Sequence, residues 1–404
     1  MKILFIRTHN PFFESSADAN RFSGLLKGLM ERDVEVTILV TCGYNNLNEF
    51  KCKGIPYGQK NLQVIYTCTV FNNNVWYRRI NIFILGKLIA TINKKCLRKY
   101  IKEKYDYVWL TKDFTILRFF LDNYNCITAK TLMELNEFHD IHKGAGAISN
   151  SMQKCRADAT SAVLCEAVKK VDCFAVMTKT LMEHYSRMAK PTAKFAHIQM
   201  TVDLQRFQNV HKMTEYKKPY IAYTGTFNNA KDGVDVLIKA FGKLSSKYPT
   251  LHLYLAGFWH YDTVMQEKLI KELGLTDRVT YLGVLDREQI PSFVCNADLL
   301  ALSRPDSHQA QGGFPTKLGE YLATGNPVCV TMVGEIPHYL QDNVNAFMAI
   351  PGDVDSFANA MDRALCNREQ SMLVALKGKK LAETEFNLEL QSDKLYQFLQ
   401  DNIK

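Results

Sequence analysis

Short runs rich in β-branched and aromatic residues recur along the 404-residue chain, each followed by a longer stretch whose apolar positions return every three or four residues. Runs of four to eight such residues suit strands buried on both faces, and the helical period between them supplies the crossovers of a parallel sheet. In the first half the pattern predicts strands at Lys2–Arg7, Val34–Thr41, Leu62–Thr67, Tyr107–Thr111, Thr131–Leu135, Cys173–Thr178 and Phe195–Met200. Helices are expected at Asp18–Arg32, Trp76–Lys102 and Ser151–Lys170. The rhythm then restarts, with strands at Tyr220–Thr224, Leu251–Ala256, Val279–Leu282, Leu299–Ser303, Val328–Thr331 and Ala346–Ile350. Helices fall between them at Val234–Ser246, Asp262–Leu273, Arg287–Cys295 and Lys317–Thr324. Two doubly wound Rossmann-like sheets in tandem are the simplest account, facing each other across a ligand-binding cleft. The polar stretch Asp203–Lys218 marks the boundary, giving domains 1–203 and 204–385, with a last helix over 386–404 packing back on the first.

Two loops in the second half join a strand to a helix N-terminus. One runs Gly225-Thr226-Phe227-Asn228-Asn229-Ala230-Lys231. Its lysine is either a solvated loop residue or a cation for a diphosphate. The other runs from Arg304 to Pro327 and contains Ser307, Gln309, Gln311, Gly312, Gly313, Phe314 and Pro315. The diglycine admits close approach of a ligand, and Pro315 suits a helix entry. The N–H groups of Thr316, Lys317 and Leu318 would then point outward as an anion site, with Glu320 one turn further in. An ordinary capped strand–loop–helix connection is the alternative.

Charge and cysteine usage narrow the setting. Residues 1–200 hold 29 lysines and arginines against 17 acids, whereas residues 201–404 hold 21 against 24. So uneven a charge points to an anionic partner for the first half. Residues 76–104 concentrate it, with nine cations against one acid around the apolar positions Ile80, Ile84, Leu88, Ile92 and Cys96. This is either a helix for an anionic membrane surface or a core helix with a solvated basic face. The eleven cysteines include no C-x-x-C pair, which fits a reducing compartment. The apolar start at Met1–Arg7 is too short for a signal peptide and no uncharged run of about 18 residues exists. The expected location is the cytoplasm, peripheral at the inner face of its membrane. Nucleic acid is not an expected partner, for want of an aromatic-interleaved basic platform.

The motifs resemble those of retaining glycosyltransferases of family 4, which have the GT-B architecture of two Rossmann-like domains. Gly225 through Ile238 is similar to the family's Gly-…-Lys-Gly-x-x-x-Leu-(Leu/Ile) signature, and Phe314 through Val328 to its Glu-x-x-Ala-x-Gly-x-Pro-Val donor motif. Met200 through Phe207 and Asn343 through Met348 match two further family segments in the right order. The resemblance implies a hexosyltransferase of a bacterial surface-polysaccharide branch. A UDP- or GDP-sugar would be the co-substrate, with no cofactor and no metal, and a glycan or polyprenyl-linked acceptor. Lys231 would bind the donor diphosphate, Thr316–Leu318 would cradle it and Glu320 would hold the ribose. Where the family has a first glutamate touching the donor sugar this chain has Gly312, so either Ser307, Gln309 or Gln311 substitutes or the sugar is held differently. The family's arginine is Thr226 here, and Arg304 is the candidate replacement. Ser16 and Ala17 stand in the loop where the family has a diglycine. His139, with Glu137 and Asn136 as alternatives, would lie beside the transferred sugar; a solvated polar loop is the other reading. Asp353 and Asp355 read as helix N-terminal residues rather than as a metal site. An epimerase of the same fold and a noncatalytic sugar-nucleotide or glycan-binding protein remain as alternatives.

Overall fold

The computed structural model describes residues 1–14, 16–56, 58–67, 94–138, 151–208, 210–211 and 215–403, with backbone alone for 151–157. The chain divides into two units. The first is Met1–Leu135 with Ser151–Ile198 and Gln391–Lys404; the second is Asn136–Asn150 with Gln199–Leu390.

In the first unit β1 (Lys2–Arg7), β2 (Glu35–Val40), β3 (Leu62–Tyr66), β4 (Tyr107–Leu110), β5 (Lys130–Leu135), β6 (Cys173–Val176) and β7 (Lys194–His197) are all present. They form a parallel sheet of order β3-β2-β1-β4-β5-β6-β7 among the described residues. The central strands β4 and β6 are buried along their whole length, as expected for a sheet covered on both faces. Helix Ala17–Met30 crosses from β1 to β2 and is capped by Ser16, which accepts from the Ala19 N–H. Its Phe22 meets Phe5 and Trp109 with ring centroids 5.0 and 5.7 Å apart, pinning the helix over β1 and β4. The chain end returns to this unit: Tyr107 Oη donates to the Leu399 carbonyl at 2.8 Å, and Gly28 leaves room for Ser392.

In the second unit β8 (Tyr220–Thr224), β9 (His252–Ala256), β10 (Val279–Gly283), β11 (Leu299–Leu302), β12 (Val328–Thr331) and β13 (Phe347–Ala349) pair in parallel, in the order β10-β9-β8-β11-β12-β13. All thirteen expected strands are therefore present. The helices differ more. Phe114–Asn123, Lys179–Ser186, His308–Gly312 and Arg368–Glu385 are helical although the pattern assigned them no element. Phe114–Asn123 is rich in β-branched and aromatic residues, so its period was masked by strand-like composition. His308–Gly312 is too short for any period to show. Much of the expected helix Trp76–Lys102 lies outside the described residues, which show Lys94–Tyr100 as helix. No helix among the described residues is long and apolar enough to cross a membrane.

Candidate functional site

In the second sheet the strand order reverses between β8 and β11, the place where sheets of this kind bind ligands. Both loops singled out in the sequence leave the sheet there. The Thr224 N–H at the end of β8 donates to Tyr321 Oη at 2.7 Å, which ties helix Thr316–Thr324 to that strand. Gly225 follows at φ 145°, and a Cβ on it would stand 2.1 Å from Lys317 Nζ. Lys231 sits in the short helix Asn229–Asp232, begun by Asn228 and ended by Gly233 in the left-handed region at φ 65°. A Cβ on Gly233 would lie 2.1 Å from the Ser303 carbonyl oxygen, so only glycine lets the β8 loop reach the end of β11.

A charged cluster lies beneath these loops. Asp232, 2% exposed, accepts from Lys317 Nζ at 2.7 Å and from Tyr223 Oη at 2.8 Å. Burial alone would raise its carboxyl, but Lys317 and then Arg304 outweigh burial and hold it below the ordinary carboxylate value. Burial pulls the Lys317 ammonium and the Arg304 guanidinium down, and Asp232 opposes the fall in both. Arg304 is 5% exposed, and its Nε has no hydrogen-bond partner. The exposed Lys231 forms no ion pair among the described residues, so it is the cation open to an incoming group.

The helix entry is as expected, with a refinement. The Leu318 N–H donates back to the Pro315 carbonyl at 3.0 Å. Thr316 and Lys317, the first two helical positions, have no carbonyl four residues back within the helix, so their N–H groups are the outward donors. The Lys317 side chain turns instead to Asp232. Glu320 is half-buried and accepts from Arg206 Nη1 at 2.9 Å, while Arg206 Nη2 donates to the Arg287 carbonyl. Of the residues expected to stand in for a glutamate at 312, Ser307 caps helix His308–Gly312 by accepting from the Ala310 N–H. Gln311 bonds Asp306 at the surface. Only Gln309 reaches another candidate, donating to Glu137 Oε2 at 2.7 Å. Gly312 is sterically a glycine: a Cβ there would meet Phe138 Cδ2 at 2.3 Å. Gly313 packs under the Asn136 carbonyl and Glu137, and Phe314 and Pro315 are buried. The Thr226 carbonyl lies 2.8 Å from Tyr223 Oη and shares its one proton with Asp232, so this position meets the loop through its backbone. His139 lies outside the described residues. Asp353 accepts from the Ser356 N–H as a helix cap, and Asp355 pairs with Lys243, so both carboxylates have structural employment.

Sequence reasoning missed Arg206, Asp232 and Phe138. Arg206 stood in a segment already matched to the family, and Asp232 stood beside Lys231. Their partners are 114 and 85 residues away in sequence, where no local pattern reaches.

The first sheet reverses order between β1 and β4, and a cavity of about 280 Å³ lies at that point. Arg7, Thr8, His9, Glu14, Asp18, Lys112 and Asp113 contribute to its wall. Arg7 pairs with Glu14 at 2.9 Å and Asp18 at 3.2 Å, yet its Nη1, Thr8 Oγ1 and His9 Nδ1 are buried without a hydrogen-bond partner. Buried polar atoms are almost always satisfied, so three such atoms on residues of this wall make the cavity a candidate place for a polar group. Ser16 and Ala17 open the helix beside it; Ser16 is occupied by its cap and by a bond to Glu14.

Residues 205–380 match the family described as Glycosyl transferases group 1. The amylovoran biosynthesis glycosyltransferase AmsK of Erwinia amylovora is 24% identical over 216 residues, 53% of this chain and 52% of that protein. The chain thus spans about half the length of that relative. Sucrose-phosphate synthase of Thermosynechococcus elongatus superposes with a TM-score of 0.76 at 16% identity, covering 99% of this chain and 98% of that one. HepE of Anabaena, solved with UDP and glucose, superposes with a TM-score of 0.70 at 16% identity, covering 99% and 100%. The fold is therefore that of the GT-B glycosyltransferases, and residues 205–380, within its second unit, are similar to the glycosyl transferases group 1 family.

Proposed function

We propose that the protein is a retaining, family 4 type glycosyltransferase. It would move a hexose from a UDP- or GDP-sugar to a hydroxyl of a glycan or polyprenyl-linked acceptor in surface-polysaccharide synthesis. The observation that carries the reading is the convergence, at the β8/β11 switch point, of the free Lys231 cation, the open N–H groups of Thr316 and Lys317, and the Glu320 carboxylate. The first two suit a diphosphate and the third a ribose diol. The amylovoran relative and the UDP-bound HepE neighbour support that assignment.

In this reading the bond from the anomeric carbon to the diphosphate oxygen breaks while Lys231 and the helix N–H groups stabilise the departing charge. The acceptor hydroxyl attacks from the same face and passes its proton to the leaving oxygen. Arg304 lends its buried charge from below. These cations do what a divalent metal does elsewhere, so transfer proceeds in excess EDTA. The cavity of the first unit takes the acceptor. Three carboxylates line it beside Arg7 and Lys112, so the group it admits is an uncharged, hydroxylated one rather than a phosphate.

A thermal-shift screen of nucleotide sugars tests the reading, because a ligand at 100 times its Kd adds about 2.7 kcal/mol. UDP or GDP should stabilise the wild type, and Glu320→Ala should weaken that binding by roughly 1.5–3 kcal/mol. Unchanged affinity in Glu320→Ala would remove the carboxylate from the site. Tight binding with no turnover on any acceptor would favour the noncatalytic reading, to which the missing side chain at Gly312 lends weight.

A further inference from the structure

We infer that a second copy of this chain docks on the outer edge of the second unit. The face it covers is apolar and is built by the loop after β9, the first turn of helix Asp262–Glu272 and the residue that follows β10. The inference stands apart from the reading of the nucleotide-sugar site.

Helix Asp262–Glu272 is turned the wrong way round for its composition. It buries Thr263 and Gln266, each 1% exposed, and leaves Val264 and Met265 in water. The buried amide explains the orientation. Gln266 Nε2 donates to the Phe227 carbonyl at 3.0 Å and to Asn229 Oδ1 at 2.6 Å, and Oε1 accepts from Tyr281 Oη at 3.0 Å. The helix thus backs the Lys231 loop with polar contacts and turns Val264 and Met265 outward. Phe258, Trp259 and Tyr261 stand exposed just ahead of it. Val284 joins them, because the Gly257 N–H donates to the Gly283 carbonyl at 2.7 Å and the chain leaves β9 and β10 side by side. These six residues are between 53% and 66% exposed. Together they present on the order of 600 Å², near the ~800 Å² that each partner buries in a standard interface.

Three features commit the face to a second copy. Phenylalanine, tyrosine, tryptophan and methionine are the residue types enriched at protein interfaces. Residues 257–285 hold four acids against three lysines and arginines, so an anionic bilayer is not attracted to this face. A rim that carries both signs can instead meet itself across a two-fold axis. Glu267 and Lys271, exposed and without an ion pair among the described residues, are the charges available for that. The third feature is β10, the edge strand of its sheet, paired on one side only among the described residues. Natural edges are guarded by charge or proline, and Val279-Thr280-Tyr281-Leu282-Gly283 has neither. A bare edge beside an apolar face is what another chain covers.

Sedimentation velocity of the full chain between about 1 and 100 μM tests the inference, a range that spans the weaker half of affinities for interfaces of this size. Wild type should shift from monomer to dimer as concentration rises. Met265→Lys combined with Val284→Lys, and separately Trp259→Ala, should weaken the dimer about tenfold or more, with an unchanged far-UV circular dichroism spectrum. Leu373→Lys with Leu376→Lys changes two exposed leucines elsewhere in the same unit and should leave the dimer as it is. Wild type monomeric up to about 100 μM overturns the inference. So does a dimer that survives both variants of the face, or one that the leucine pair disrupts equally. A monomeric wild type that floats with phosphatidylcholine vesicles, and loses flotation in Met265→Lys/Val284→Lys, would give the face to a bilayer and overturn it too.

Discussion

Lys317 and Asp232 are 85 positions apart in the chain and 2.7 Å apart in space, and neither is open to water in a way that would let it stand alone. Desolvating both charges is costly, and the pair is tolerated because each satisfies the other and Tyr223 adds a further hydrogen bond. Breaking one side is therefore worse than removing both. Asp232→Asn should lower the unfolding free energy by about 3–5 kcal/mol, and adding Lys317→Met should restore part of it. The pH dependence has a definite sign. Because the folded carboxyl lies below its ordinary 3.8, its contribution is complete above that value and is lost as pH falls through the lower folded one. Urea titrations from pH 7 to pH 3 should show a shallower acid limb for Asp232→Asn than for wild type. Parallel limbs and equal midpoints at neutral pH would mean the pair does not stabilise the unit.

Elements carry the site through glycines that leave room for a neighbour's backbone. Gly233 and Gly274 share the left-handed conformation, at φ 65° and 67°, but only Gly233 has a carbonyl oxygen where a Cβ would be. Alanine at either position carries the left-handed penalty of about 1–2 kcal/mol. Gly233→Ala must in addition push the Asn229–Asp232 turn off the end of β11. It should lose clearly more stability than Gly274→Ala, and it alone should weaken nucleotide binding, because Lys231 moves with the turn. Equal loss in the two variants, with nucleotide affinity kept, would show that the close approach to Ser303 is dispensable. This contrast also explains what was legible. The thirteen strands could be read because a parallel strand buried on both faces writes an apolar run into the sequence. The glycines could be read as places of close approach. What they approach could not: Phe138 against Gly312, Ser303 against Gly233 and Arg206 against Glu320 are all contacts across the fold. Helix His308–Gly312 escaped notice for a related reason, since one turn capped by Ser307 has no period to detect. Gly312 itself was read as a missing glutamate, and the structure adds that its neighbour forbids one.

At the scale of the whole molecule, the excess of cations over acids in residues 1–200 needs a location, and the cavity at the β1/β4 switch point is not it. Acids and cations are mixed there. The described end of the basic segment is clearer: Leu97 and Ile101 are buried in the first unit, while Lys94, Lys95, Arg98 and Lys99 are exposed. With those apolar residues already committed to the core, this stretch can meet a membrane only through charge. Each lysine or arginine near an anionic surface contributes about 1 kcal/mol, and the attraction fades over a Debye length of ~10 Å at 0.1 M salt and ~3 Å at 1 M. The full chain should therefore float with vesicles containing anionic lipid at low salt and be released as salt rises. Replacing Lys94, Lys95, Arg98 and Lys99 by glutamine should reduce flotation while leaving UDP and GDP affinity unchanged, because these residues belong to the first unit and the residues proposed to hold the nucleotide to the second. Recovery that persists in high salt would shift the contact to apolar insertion. Equal recovery with neutral vesicles, or none with either, would return the basic segment to a solvated face of a core helix and leave the acceptor to reach the protein without a membrane.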